Sequence, residues 1–466
     1  MSNMGDASDR SFAGTVVGVP GRDFTVEDVR GVFPGELDIE PLGRPVDATV
    51  TVPGSKSVTN RALLVAALAD GTSTIRNPLF SDDSFWLLQA LVQLGFDVRA
   101  DLGSGLVHIG GRAGRIPAGD TEVFVGNAGT VARFLPPVLA LGPGPYRVDG
   151  APRMRERPVD DLVEALRRLG ANVDYAEAPG RFPLIVRGGG LSGGRTRVAG
   201  SRSSQFLSGL LMAAPGAENS VTLELEGDLV SKPYVGITTA VMRSFGVGVA
   251  ERSGTFIVDP ATYQARDYRV EPDASGASYF MAAAAITGGR VRIPNLGRNS
   301  TQGDLRFTEV LQKMGCKIHL GPDFVEVQGP GRLRGVEVDM NAFSDTMITL
   351  AAIAPLAAGP TTITNVEHTR HQETDRISAV ATELTRLGQQ VHESTDGLRI
   401  IPQEIRPARV RTYDDHRVAM AFAVPGLVVP GIRIEDPGCV TKTFPDYFRR
   451  LAALGEGWGD RLYSGR

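Results

Sequence analysis

Lys56, Ser57 and Arg61 stand together in the segment Pro53-Gly54-Ser55-Lys56-Ser57-Val58-Thr59-Asn60-Arg61-Ala62. An alternating run, Ala48–Val52, leads into this segment and a helix of small residues leaves it, so the polar groups meet a helix start. A point charge, a hydroxyl and a guanidinium one turn later join the free N–H groups and dipole of the helix N-terminus. Together they make a cradle for an anion. The segment is not a nucleotide phosphate loop, because Val50 and Ser55 occupy the glycine positions of G-x-x-x-x-G-K-[ST].

Groups of the same kind recur along the chain. Arg157 lies in Glu156-Arg157-Pro158, Gln205 in Ser203-Ser204-Gln205, Arg417 in Asp415-His416-Arg417, and Lys442 precedes Thr443-Phe444-Pro445-Asp446. Glu373 and Arg376 are three residues apart, which puts a carboxylate and a guanidinium on one helix face. Taken alone, such a pair reads as a surface ion pair worth little. Arg153 and Arg155 likewise read as a solvated basic face, whereas Arg157 sits against the next helix start and can aim at a ligand.

The elements that position these residues repeat. A charged amphipathic helix ends in an apolar residue plus glycine six times, at Gly95, Gly170, Gly246, Gly315, Gly388 and Gly455. Each glycine suits the left-handed cap that turns a helix into a strand, and the spacing is about seventy residues. A second helix precedes each of these, rich in alanine and apolar on nearly all sides: Ser57–Ala69, Gly129–Leu141, Ser203–Ala214, Ser275–Ile286, Asp345–Ala358 and Asp415–Ala423. Such helices are expected to be buried, with Pro136, Pro137 and Pro355 bending or shortening two of them. Six units, packed three to a lobe around these inner helices, follow. Capping explains Ser and Asp at the helix starts, Asp273 included, but not Lys56, Gln205 or Arg417.

Composition narrows the function class. A chain of 466 residues, 42% hydrophobic and 22% charged, is globular and large enough for more than one core. A net charge of −4 gives no reason to invoke nucleic acid or an anionic membrane, so an anion site must gather its cations locally. Two cysteines, Cys316 and Cys439, form neither a disulfide framework nor a zinc spacing, which suits the reducing cytoplasm. No apolar run is long enough to span a bilayer. Residues 1–40, rich in acids, match neither kind of cleaved leader and are expected to form a partly disordered extension.

In this order, Pro53–Ala62, Gly126–Thr130, Glu156-Arg157-Pro158, Ser203-Ser204-Gln205, Asp228–Tyr234, Glu373–Arg376, Asp415-His416-Arg417 and Lys442–Phe448 resemble the 5-enolpyruvylshikimate-3-phosphate synthase family of enolpyruvyl transferases. The resemblance runs over about residues 45–450. It implies an α/β (α+β) fold, a two-lobed inside-out α/β barrel of six βαβαββ repeats. Residues 54–272 would form one lobe, and 41–53 with 273–466 the other. It implies transfer of the enolpyruvyl group of phosphoenolpyruvate to the 5-hydroxyl of 3-phosphoshikimate by addition and elimination, releasing phosphate, in aromatic amino-acid biosynthesis. Neither cofactor nor metal is implied, and a monomer suffices.

Carried over by motif, phosphoenolpyruvate would meet Lys56, Gly129, Arg157, Gln205, Arg376, Arg417 and Lys442. Phosphoshikimate would meet Lys56, Ser57, Arg61, Ser203, Ser204, Gln205, Ser231, Tyr234, Asp345, His368 and Gln372. Asp345 resembles the family's base, its ionised form favoured by a helix N-terminus. Glu373 resembles the acid, with burial expected to raise its pKa and Arg376 opposing the rise. Lys56 would share the proton transfers. Gln372 and His368 depart from the lysine and asparagine that many members carry there, which implies weaker phosphoshikimate binding or a shifted pH optimum. The sister family acting on UDP-N-acetylglucosamine is the alternative, as is a paralogue with impaired catalysis. The former uses a mobile-loop cysteine, and neither Cys316 nor Cys439 falls in such a loop.

Overall fold

The computed structural model describes residues 33–200, 203–227 and 229–455. The six apolar segments form helices close to the expected bounds: Lys56–Leu68, Gly129–Leu139, Ser204–Ala213, Ala274–Thr287, Met347–Ile353 and His416–Gly426. Nearly every residue in them is buried, as an all-round apolar surface requires. Pro136 and Pro137 stay inside their helix, while the fifth helix stops before Pro355. It is also shorter at its start than expected. Residues Asn341–Thr346 form a separate 3-10 turn kinked at Phe343, so Asp345 lies in that turn and not at an α-helix N-terminus.

Among the described residues there are six small sheets. Five have four strands and one pairing pattern: a parallel pair extended by two antiparallel neighbours. In the first, Asp70–Arg76 runs parallel to Asp267–Arg269 and antiparallel to Leu106–Arg112, which pairs with Asp97–Asp101. The others are centred on Tyr146–Asp149, Val221–Glu226, Arg290–Pro294 and Thr361–Thr364. The sixth has three strands, with Glu36–Asp38 antiparallel to Arg433–Glu435. The extension expected over 1–40 is therefore corrected at its end, because Leu37 and Ile39 are buried and fix a strand there. Residues 1–32 lie outside the described residues.

Buried apolar residues fall into two clusters. One runs from Val58 to Val270; the other joins Leu37–Val52 to Ala274–Ala452. The chain passes between them twice, side by side. Ser55 N–H donates to Glu271 O at 2.8 Å and Asp273 N–H to Pro53 O at 2.9 Å. The opening cradle follows the first of these passages directly. Among the described residues no helix is long and apolar enough to cross a membrane.

Candidate active site

Residues at the starts of four inner helices (Lys56, Gly129, Ser204 and Arg417), and Asp345 from the turn before a fifth, line a cavity of about 280 Å³ between the two clusters. Lys56, Ser57, Arg61, Gly129, Arg157, Ser203, Ser204, Gln205, Ser231, Tyr234, Asp345, His368, Gln372, Glu373, Arg376 and Arg417 all line it. Lys442 stands just behind, its Nζ 3.2 Å from Glu373 Oε1 and donating to Asn127 O at 2.9 Å. Three of the helix starts are capped by their own side chains. Ser203 accepts from Gln205 N–H, Asp415 from Arg417 N–H, and Asp273 from Ser275 and Gly276 N–H. Capping accounts for Asp273 in full, as its sequence suggested.

Arg376 is the hub of the site. Its guanidinium is 1% exposed and donates to Asp415 Oδ2 at 2.8 Å, Asp345 Oδ1 at 3.0 Å and Glu373 Oε2 at 3.1 Å, and also to Gln372 Oε1. The pair with Glu373 is thus buried, not the surface pair that spacing alone suggests. A glutamine at 372 supplies Arg376 with a neutral acceptor, where a lysine would add a like charge.

Burial pushes the Asp345 carboxyl up, but Arg417 and Arg376, with the Tyr234 hydroxyl and Lys56, outweigh it and hold the group at about 2. Its ionised form therefore rests on two guanidiniums and not on a helix dipole. Arg417 Nη2 donates to Asp345 Oδ2 at 2.6 Å. For Glu373 the expected direction is reversed. Burial raises it, yet Lys442, Arg376, Arg157 and Lys56 together hold it well below the usual carboxylate range. Desolvation acts on one charge, whereas four cations act on it at once through a low-dielectric interior.

Several functional neighbours were not visible in the sequence. Lys56 Nζ lies 3.3 Å from the buried Asp83. Asp304 Oδ2 lies 2.9 Å from the Tyr234 hydroxyl oxygen. Arg133 lines the cavity with its hydrogen bonds going to Met154 Sδ and Pro158 O, neither of them charged. Arg153, expected on a solvated face, donates to Gln372 O and Glu373 O, both at 3.2 Å, and so ties the first cluster to the segment that carries Glu373. Arg155, its side chain 40% exposed, meets the buried Asp149 and the exposed Glu177. No local pattern marks the contacts of Lys56, Asp304, Arg133 and Arg153, because 21 to 220 residues separate the partners.

Arg61 is held by the protein itself. It donates to Thr238 Oγ1 at 2.7 Å, Ser57 O at 2.8 Å, and Ser208 Oγ and Tyr234 O at 3.2 Å. Burial pushes its guanidinium down to about 9, which leaves it cationic at pH 7. It thereby fixes both Ser57 and Tyr234 at the cavity wall.

His368 Nε2 lies 2.8 Å from Ser344 Oγ and 3.3 Å from Ser231 Oγ. Ser231 is held in the left-handed region, at φ 51°. Burial lowers the His368 ring to about 4, so it is neutral at pH 7. Between pH 6.5 and 4 the unfolded chain takes up a proton there that the folded chain does not. Acidification through this window therefore removes stability, by up to about 3 kcal/mol. His368→Asn is expected to lose less stability than the wild type when urea unfolding is compared at pH 6.5 and 4.5; an equal loss would place the acid sensitivity elsewhere.

Six cations around two carboxylates, in a cavity closed by two separate cores, suit the joining of two anionic substrates. Residues 42–451 match the family described as EPSP synthase (3-phosphoshikimate 1-carboxyvinyltransferase). A 3-phosphoshikimate 1-carboxyvinyltransferase of Trichormus variabilis is 52% identical over 417 residues, 89% of this chain and 98% of the relative. One of Xenorhabdus nematophila is 47% identical over 90% of this chain and 99% of the relative. Among solved structures, EPSP synthase from Acinetobacter baumannii is similar at TM-score 0.77 and 26% identity, over 90% of this chain and 98% of that one. The enolpyruvyl transferase NikO from Streptomyces tendae shares the fold at TM-score 0.72 and 20% identity, over 91% and 98% of the two chains. On the match across residues 42–451 and on relatives identical at about half their positions, this chain belongs to the EPSP synthase family.

Proposed function

We propose that this enzyme transfers the carboxyvinyl group of phosphoenolpyruvate to the 5-hydroxyl of 3-phosphoshikimate, in the shikimate route to aromatic amino acids. The observation that carries the reading is one cavity in which Lys56, Arg61, Arg133, Arg157, Arg376 and Arg417 face Asp345 and Glu373. Fixed cations cancel the repulsion between the two anions, and arginine forks match carboxylate and phosphate oxygens.

Phosphoenolpyruvate sits among Lys56, Gly129, Arg157, Gln205, Arg376, Arg417 and Lys442. Phosphoshikimate lies against Ser57, Ser203, Ser204, Gln205, Ser231, Tyr234 and His368, with Arg61 and Gln372 holding the wall. Asp345 takes the proton of the 5-hydroxyl as its oxygen attacks C2 of phosphoenolpyruvate, while C3 takes a proton from Glu373. The tetrahedral adduct then returns a proton from C3 to the Glu373 carboxylate as the C2–O bond to phosphate breaks. The departing phosphate receives the proton held by Asp345. Lys56, against Asp83, assists these transfers. Charge from phosphoenolpyruvate offsets the cations around Glu373 and raises its pKa towards the acid role.

The two cores support a division into lobes of residues 54–272 and 33–53 with 273–455, each built of three repeats in an inside-out barrel. Closure of one lobe on the other excludes water from the adduct. A core completed within one chain and two free cysteines support a cytoplasmic monomer. The test is to supply phosphoenolpyruvate and 3-phosphoshikimate and to follow inorganic phosphate. Release that needs both compounds is expected; release only with UDP-N-acetylglucosamine would replace this reading.

Gly129 gives a sharper check on the phosphoenolpyruvate side. A Cβ there would lie 3.1 Å from both Nη1 and Nη2 of Arg157. The guanidinium can swing away at small cost to the fold, but its fork then misses the ligand. Gly129→Ala is expected to raise the KM for phosphoenolpyruvate by about tenfold with kcat and melting temperature nearly unchanged. A KM that stays at the wild-type value would remove Arg157 from this role.

A further inference from the structure

The Tyr234 hydroxyl lies between two carboxylates, 2.7 Å from Asp345 Oδ2 and 2.9 Å from Asp304 Oδ2. A phenol has one proton to donate. Were both carboxylates ionised, one of them would face the lone pairs of the phenol with nothing between. One acid must therefore carry a proton and donate it to the Tyr234 oxygen. The surroundings decide which. Asp345 is gripped by Arg376 and Arg417 and is the ion. Asp304 has neither in contact, and its Oδ1 is buried with no hydrogen-bond partner among the described residues. An unpaired buried oxygen suits a neutral acid and not a charge.

We propose that Asp304 is a positioning residue: as the neutral acid it donates to the Tyr234 oxygen and so commits the single phenol proton to Asp345. With Arg417 donating to the same oxygen, Asp345 Oδ2 is then saturated. Oδ1, which among the described residues accepts from Arg376 alone, is left to take the proton of the substrate hydroxyl. Asp304 thus acts on the reaction through Tyr234. This inference rests on the assignment of Asp345 as base in the proposed carboxyvinyl transfer.

The groups facing Asp304 from the packed elements are Asp345, Arg417, Tyr234 and Asp273; on its own turn, Arg306 is directed to Glu309 at the surface. Burial and then the charge of Asp345 raise Asp304, with Arg417 and the Tyr234 bond opposing, to about 7. Above that pH the donated proton is lost, two carboxylates compete for the phenol proton, and Asp345 loses its orientation.

The experiment compares kcat/KM for 3-phosphoshikimate from pH 5.5 to 9 in the wild type, Asp304→Asn and Asp304→Ala, with melting curves for all three. The wild type is expected to fall as the pH rises through about 7. At pH 6 Asp304→Ala should lie about tenfold or more below it, a loss that removal of a positioning hydrogen bond would cause. Asp304→Asn, whose amide still donates to Tyr234, should recover most of that loss and lack the fall above pH 7. An asparagine variant as slow as the alanine variant at every pH overturns the proposal, and so does one that keeps the wild-type pH limb. A wild type that releases no phosphate from the two substrates at any pH overturns the transfer reaction itself.

Discussion

Glu373→Gln is expected to lower kcat by about 10²–10⁴ while leaving the KM for phosphoenolpyruvate equal or lower, because general acid catalysis is lost and no contact shape changes. The carboxylate lies 3.2 Å from Lys442 and 3.1 Å from Arg376, with Arg157 and Lys56 adding to their field. In the free enzyme those cations keep it ionised, which is the wrong state for an acid. They are also the groups assigned to phosphoenolpyruvate, so the ligand's negative charge is set against them at the moment it binds. Relieved of that field, a carboxyl buried as deeply as Glu373 shifts towards its neutral form. Ligand binding should therefore draw a proton from solution. Titration calorimetry of the ternary complex in buffers of different ionisation enthalpy should show this uptake in the wild type and not in Glu373→Gln. Near-normal turnover by the glutamine variant, or equal proton uptake in both, would remove Glu373 from the acid role.

The second large effect concerns folding. Arg376→Met is expected to destabilise the protein by about 3–5 kcal/mol, the cost of leaving buried charges without their partner. The methionine roughly preserves volume, so the loss is electrostatic: Asp415 is fully buried, and Asp345 and Glu373 lose one of the cations that hold them ionised. The sign of the pH effect follows. In the wild type, Asp345 and Glu373 have folded-state pKa values below their unfolded ones, so their contribution is present above the unfolded pKa and is lost as the pH falls through the folded one. Without Arg376, Asp345 and Glu373 titrate higher when folded and become neutral more readily in acid. The deficit measured by urea unfolding should be larger at pH 7 than at pH 5. Adding Asp415→Asn should recover part of it, and a double variant as unstable as the sum of the single ones would argue against a shared network.

Arg376 also shows where reading along the chain stops. Its spacing from Glu373 was legible, but the helix begins at Arg376 with Asp375 as its cap, so Glu373 precedes it and the two share no helix face. That the pair is buried was not legible either, because burial depends on Asp345 and Asp415, 31 and 39 residues away. Arg153 is a stronger case. Arg153 and Arg155, two residues apart, look like a solvated run, yet Arg153 reaches across to the backbone of Gln372 and Glu373. Asp304 follows a Gln-Gly pair in a short turn and carries no local pattern that marks it as a partner of Tyr234.

What the sequence determined by itself was everything written in local periodicity and residue type. The outer helices, five of which end at a glycine in the left-handed region while Gly455 does not adopt it, the all-round apolar inner helices and the polar residues at their starts follow from the steric and hydrophobic rules of a few turns of chain. The cradle at Lys56, Ser57 and Arg61 belongs to this part. Only the tertiary structure decided the balance of charge within the cavity, because Coulomb terms depend on distances between segments far apart in sequence and on how much water lies between them. That balance makes Glu373 an ion where its burial alone would make it an acid. It gives Lys56 the partner Asp83, and it sets Tyr234 between two carboxylates of opposite protonation.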